Sequence, residues 1–130
     1  MNTADELAAI ARGAALASYS PYSRFRVGAV VVGPGGEVFT GANVENASYP
    51  AASCAEATAI NTAVAQGLRK IDTVAVACID ADDVDGAYPC GRCRQIMSEF
   101  HVDNVIVTAA DGSEIRRHTL DELLPYRFRM

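Results

Sequence analysis

Two apolar, β-rich runs constrain the fold most: TVAVACI at 73–79 and NVIVTAA at 104–110 each read as a buried strand. A helical stretch separates them, and strands joined across a helix run parallel, because the chain must cross back over the sheet before re-entering it. The intervening PCGRCRQIMSEF at 89–100 supplies that helix, with Pro89 opening it and Ile96, Met97 and Phe100 facing the core. The chain should therefore build a sheet in which these two strands pair in parallel.

The remaining segments fit around that pair. TADE at 3–6 is a capping box, and Leu7, Ile10, Ala11 and Ala14 share one face of a helix that should end near Ser18. Pro21 in YSPYSRF stops any continuation. RVGAVVVG, PGG and EVFTGANV read as strand, turn and strand, a hairpin. A second helix runs from Cys54 to Gln66, with Ala59, Ile60, Ala63 and Val64 on a stripe and Gly67 as its stop. DADDVDGAY reads as a loop, DGS as a turn, EIRRHTL as an edge strand and TLDELL as a short capped helix. The order α, β, β, α, β, α, β, β, α predicts an α/β protein with helices covering both faces of a mixed sheet of about five strands. There is no internal repeat or linker, so residues 1–130 should form a single domain.

Composition removes several classes of function. Half of the residues are hydrophobic and 21% are charged, which is the balance of a folded globule. A net charge of -5 lacks the basic field that supplies most non-specific affinity for a polymer of phosphates, so a nucleic-acid partner is not expected. The start, MNTADELAAIARG, has no basic leader, and no stretch approaches the roughly 20 apolar residues of a membrane span. A soluble, cytoplasmic protein is the expectation, and in a reducing compartment its 4 cysteines serve as metal ligands or buried thiols, not as a disulfide framework.

Three of those cysteines carry the chemistry. Cys90 and Cys93 form a C-x2-C pair whose short loop lets both sulfurs reach one ion, and Cys54 opens a different helix. Three protein ligands leave the fourth corner of a zinc tetrahedron open, the mark of a catalytic site. Thiolates at helix starts also meet the positive ends of helix dipoles, which offset the excess negative charge of three sulfurs on one dication. Glu56, two residues beyond Cys54, can face the same cavity without ligating and relay a proton. A structural zinc site would need a fourth Cys or His, yet His101 and His118 lie in no ligand-spaced motif and read as surface residues. Redox chemistry at CGRC fits poorly with a third partner cysteine. Cys78 reads as a buried strand thiol and Met97 as core.

The combination of C-A-E with a later P-C-x-x-C resembles the zinc nucleobase deaminases. More closely, the chain resembles the small homotetrameric cytidine deaminases, through YSPYSRFRVGA at 19–29, TGANVENASYP at 40–50, CAEATAI at 54–60, PCGRCRQ at 89–95 and DELLPYRF at 121–128. The resemblance implies a three-layer α/β/α cytidine deaminase-like fold. It also implies hydrolysis of free cytidine and deoxycytidine to uridine and deoxyuridine with release of ammonia, a step of pyrimidine salvage. By motif match, Cys54, Cys90 and Cys93 hold one zinc per subunit and Glu56 shuttles protons. Asn43 and Glu45 meet the ribose, Phe25 packs on the pyrimidine and the Ala55 amide meets the base oxygen O2. Tyr49 and Phe128 enter a neighbouring subunit's pocket.

One position departs from that pattern. The family usually has arginine directly after the catalytic glutamate, donating to the zinc-bound thiolates, and this chain has Ala57. Arg92 or Arg94 is the expected source of the replacement charge. Three competing readings stay open: a deaminase for a modified cytosine nucleoside or an aminopyrimidine antibiotic, a non-catalytic zinc-binding domain, and a polynucleotide editor. Intact NVEN favours an ordinary ribose, the unligated Glu56 disfavours a purely structural site, and the net charge disfavours a polymer.

Overall fold

A computed structural model of the protein describes residues 2–130. Its order is α1 (Ala4–Ala15), β1 (Val27–Val32), β2 (Val38–Ala42), a short 3-10 turn at Tyr49–Ala51, α2 (Ala55–Ala65), β3 (Thr73–Cys78), a second 3-10 turn at Val84–Gly86, α3 (Gly91–Glu99), β4 (Asn104–Ala109), β5 (Ile115–Thr119) and α4 (Leu120–Leu123). The five strands form one sheet in the order β2-β1-β3-β4-β5. Among the strands of the described residues only β3 and β4 pair in parallel, Thr73 opposite Asn104 through Cys78 opposite Ala109, as the crossover through α3 requires. β1 pairs antiparallel with both β2 and β3, and β5 closes the other edge antiparallel to β4.

Side-chain alternation along the strands divides the core in two. Val30, Ala75, Ala77 and Ile106 face α1, where Leu7 and Ala11 meet them. Ala29, Val31, Val74, Val76, Val105 and Val107 face the other way, against Ile60 and Ala63 of α2 and Met97 of α3. Each fully buried Val or Ile contributes about 2 kcal/mol relative to exposure, so neither layer is dispensable. The result is three layers, helix on sheet on helix.

Caps mark where helices begin. Thr3 accepts from the Glu6 amide and Glu6 reaches back to the Thr3 amide, which is the capping box of α1. Thr119 and Glu122 repeat the device on α4. Helix α1 stops at Ala15 and not near Ser18: Leu16, Ala17 and Ser18 close turns onto Gly13, Ala14 and Ala15 instead of extending the helix. Likewise Pro89 does not open α3. Cys90 is the N-cap with extended backbone, and the helix begins at Gly91. The 80–88 segment, read as a loop, contains the turn at Val84–Gly86 that buries Val84.

One charged clamp sets the approach to β1. Asp80 accepts from the Arg26 amide at 2.8 Å and from the Arg26 guanidinium through both carboxylate oxygens at 2.9 Å each. Hydrogen bonding from Arg26 holds the Asp80 carboxyl down at about 2. The loop that carries Phe25 is thereby tied to the segment leaving β3.

Candidate active site

Cys54 and Cys90 are the N-caps of α2 and α3, and neither sulfur is used as a capping acceptor. With Cys93, one turn into α3, their sulfurs lie within 4.8 Å of one another, and all three cysteines are free. The burial is graded: Cys93 is sealed in the core, Cys54 half-buried and Cys90 exposed. Three soft sulfurs converging from two helix starts suit zinc, and no fourth Cys, His, Asp or Glu joins the group among the described residues. Hydrogen bonding from the Cys93 thiol draws the Cys54 thiol down to about 6, against burial, with smaller contributions from Cys90 and from the charge of Arg92.

Glu56 lies beside the trio. It is 4% exposed and borders a cavity of about 290 Å3 that Cys54 and Cys90 also line. Burial lifts its carboxyl to about 7, and the negative charge at Cys54 adds to the rise. A carboxyl held near neutrality can both accept and return a proton.

The NVEN segment is set against the start of α2 by a two-bond ladder, Val44 N–H to Ser53 O at 2.9 Å and Ser53 N–H to Val44 O at 2.8 Å. Asn43 borders the cavity, but its amide is largely engaged. Its oxygen accepts from the Ser18 hydroxyl and the Val27 amide, and its nitrogen donates to Phe25 O at 2.8 Å, leaving one N–H free. Glu45 accepts from the amides of Tyr22 and Ser23 at 2.9 and 3.1 Å and from the Ser23 hydroxyl, and these bonds, the hydroxyl's first, hold its carboxyl below the usual range. Phe25 and Ala55 complete this side of the cavity. Ala55 is the first residue of α2, where backbone N–H groups have no partner within the helix.

Tyr49 and Phe128 do not reach the cavity of their own chain. Tyr49 is 81% exposed beside an adjoining cleft, with Tyr22 and Asn46, that shares Glu45 and Ala52 with the cavity, and Phe128 is 70% exposed near the end of the chain. Arg94, one of the two candidates for the replacement charge, is engaged by backbone: its guanidinium donates to Pro89 O at 2.8 Å and to Leu123 O at 2.6 Å. Arg92 remains, exposed between the two cysteines of α3.

Sequence reasoning missed part of the wall. Cys78, Gly86, Ala87 and Tyr88 border the cavity too. Cys78 is the buried strand thiol that was expected, donating weakly to Ala87 O at 3.6 Å, with burial pushing it up to about 12. His118 is not a plain surface residue: it is partly buried against the Tyr88 hydroxyl at 2.8 Å. The one signal for Tyr88 was its place just before PCGRC.

Three sulfurs that could hold a metal ion and a buried carboxyl thus border one cavity. By class it is a zinc-binding hydrolase. The model of the cytidine and deoxycytidylate deaminase zinc-binding region matches residues 1–109, and the chain belongs to that family. It is 44% identical to the cytidine deaminase of Halalkalibacterium halodurans over 112 residues, covering 85% of this chain and 83% of that one. It is 32% identical to the blasticidin-S deaminase of Bacillus cereus over 111 residues, covering 82% and 79%. Among solved structures, the cytidine deaminase of Burkholderia pseudomallei superposes with a TM-score of 0.89 at 38% identity, covering 98% of this chain and all of that one. The cytidine deaminase of Mycobacterium tuberculosis gives 0.77 at 35%, covering 95% of each. Among the described residues no helix is long and apolar enough to cross a membrane.

Proposed function

We propose that the chain, acting as one domain over 1–130, hydrolyses free cytidine and deoxycytidine to uridine and deoxyuridine with release of ammonia. The observation that carries this reading is the unligated, buried Glu56 beside three converging sulfurs. Zinc held by Cys54, Cys90 and Cys93 supplies a Lewis acid that lowers the pKa of water towards about 7. The Glu56 carboxylate takes a proton from the attacking water and gives it to N3 of the base as the water oxygen bonds to C4. It then moves the remaining hydroxyl proton to the amine, the C4–N bond breaks as ammonia leaves, and a carbonyl remains at C4. Each transfer returns Glu56 to its starting state, and atoms balance: one water enters and one ammonia departs.

The other residues bind and orient. The free amide of Ala55 is suited to the base oxygen O2, Phe25 to the ring face, and Glu45 with the spare N–H of Asn43 to the ribose hydroxyls. The sugar contacts favour a nucleoside over a free base. Tyr49 and Phe128, exposed and apolar, support a homotetramer in which neighbouring chains complete each other's sites, working in the cytoplasm without a nucleic-acid partner.

The test is an ammonia-release screen over nucleosides, blasticidin S included, with metal content measured on the same preparation. Cytidine and deoxycytidine should each release ammonia from protein carrying one zinc per chain, and stripping the zinc with a chelator should stop it. Zinc-loaded protein inert on both nucleosides would overturn the reading.

The missing arginine at position 57 makes a second expectation. Ala57 is fully buried, so the compensating charge comes from outside the helix, at Arg92. Arg92→Ala should lower kcat about tenfold, the scale on which groups supporting metal ligands act, while Arg92→Lys keeps most of it. Steady-state kinetics at equal zinc content decide; equal rates in all three proteins would leave Arg92 without a role.

A further inference from the structure

The edge strand β5 carries Arg116 and His118 at the spacing that puts alternate residues on one face, and Glu114 immediately precedes it. Charged residues on an edge strand ordinarily just block pairing with another chain. Here two of them converge on one hydroxyl. The Tyr88 oxygen lies 2.8 Å from His118 Nε2 and accepts from Arg116 Nη1 at 3.3 Å. The His118 ring also packs on the Tyr88 ring, centroids 5.3 Å apart and planes tilted by 55°.

The network is satisfied with a neutral imidazole. Arg116 donates to the Tyr88 oxygen; with the imidazole proton on Nδ1, which lies 3.5 Å from the Glu122 carboxylate, the Tyr88 O–H would donate to Nε2 of His118. Arg116 is itself held by Asp85 at 2.8 Å and Glu114 at 3.0 Å. Asp85 lies in the turn that leads into Tyr88, so both ends of the Asp85–Tyr88 stretch are moored to β5. That stretch carries Gly86, Ala87 and Tyr88, which form one wall of the cavity.

We propose that His118 and Arg116 are positioning residues for substrate binding, which act through the Tyr88 hydroxyl to hold the Gly86–Tyr88 wall of the cavity in place. The inference rests on the deaminase reading and extends it to Tyr88, Arg116 and His118. A wall held in place before binding avoids the cost of ordering it when the nucleoside arrives, so its contribution falls on affinity and not on the chemical step.

The experiment compares wild type, His118→Phe, Tyr88→Phe and the double variant, all zinc-loaded, with cytidine. His118→Phe keeps a ring beside Tyr88 and loses the acceptor; Tyr88→Phe keeps the wall's ring and loses the hydroxyl. Each single variant should raise KM about fivefold to tenfold, the effect of one hydrogen bond, with kcat changed by no more than about twofold. The double variant should be no worse than Tyr88→Phe alone, because losing the hydroxyl already breaks the bond that His118→Phe breaks. Unchanged KM in an active single variant, additive effects in the double, or a fall in kcat with loss of zinc would each overturn the proposal. Wild type that releases no ammonia from cytidine would instead refute the deaminase reading on which it rests.

Discussion

Glu56→Gln should abolish measurable turnover, with kcat down by about a thousandfold, while the protein still folds and still holds zinc. The substitution changes almost nothing but the ability to carry a proton: glutamine matches the shape of the carboxyl and remains neutral. General acid–base catalysis is worth about 10^2 to 10^4 in rate, and Glu56 is proposed to make both transfers of the cycle. Folding should not suffer, because Glu56 sits where burial already disfavours its charge, so a neutral amide is better tolerated there than a carboxylate. Zinc should remain because the three sulfurs are untouched. The measurements are kcat with cytidine, metal content and the thermal midpoint on one preparation. Retained turnover would remove the proton role, and lost zinc would make Glu56 a ligand.

The largest effect on stability is expected at a glycine remote from the cavity. Gly28 lies in β1 under α1, and a methyl group placed on it would fall 2.0 Å from Ala11 O and 2.4 Å from Ala15 N. Both are backbone atoms in a helix and cannot rotate aside. Overpacking of this kind costs about 3 kcal/mol, so Gly28→Ala should lower the melting midpoint by roughly 10 °C for a chain of this size. Gly13 is the control: in α1 it has nothing within 4 Å, and Gly13→Ala should leave the midpoint unchanged or raise it. Equal melting of Gly28→Ala and wild type would mean that α1 does not approach the sheet as described.

Gly41 makes the same contact on the opposite face, its added methyl falling 2.4 Å from Ala59 N of α2. The register sets Gly41 against Ala29, next to Gly28 in β1. Helices thus approach the hairpin closely from both sides. One of them is α2, whose start carries Cys54 and Glu56, so its distance from the sheet also sets the depth of those two side chains.

Much of this was legible in the residues. A metal needs particular atoms, and only a few spacings bring them together, so Cys54, Glu56, Cys90 and Cys93 stand out in the sequence wherever the chain runs between them. The parallel pairing of β3 and β4 followed from the helix between them. Helix ends were less legible. Alanine-rich sequence continues past Ala15 with no local reason to stop, and the chain turns there to bring Tyr19 into its bridge with Val44, a long-range pairing. Proline before Cys90 looked like a first helical residue, yet the extended backbone of Cys90 moves the start two places on. The Tyr88–His118 contact was illegible for another reason: its partners are 30 residues apart, on a loop and an edge strand, and neither has a pattern that names the other. Asn43 has a similar lesson, since a residue matched to the sugar also stitches Ser18, Phe25 and Val27 together.

Helices α2 and α3 both start on cysteines that provide no capping bond. A good capping side chain is worth about 1 kcal/mol, and both helices forgo it where the chain must be most accurately placed. An ion held by Cys54, Cys90 and Cys93 would join these two starts and serve as a rivet as well as a reagent. Assembly of the polypeptide and uptake of the metal are linked equilibria, and scarcity of zinc would reduce the amount of intact protein along with its activity.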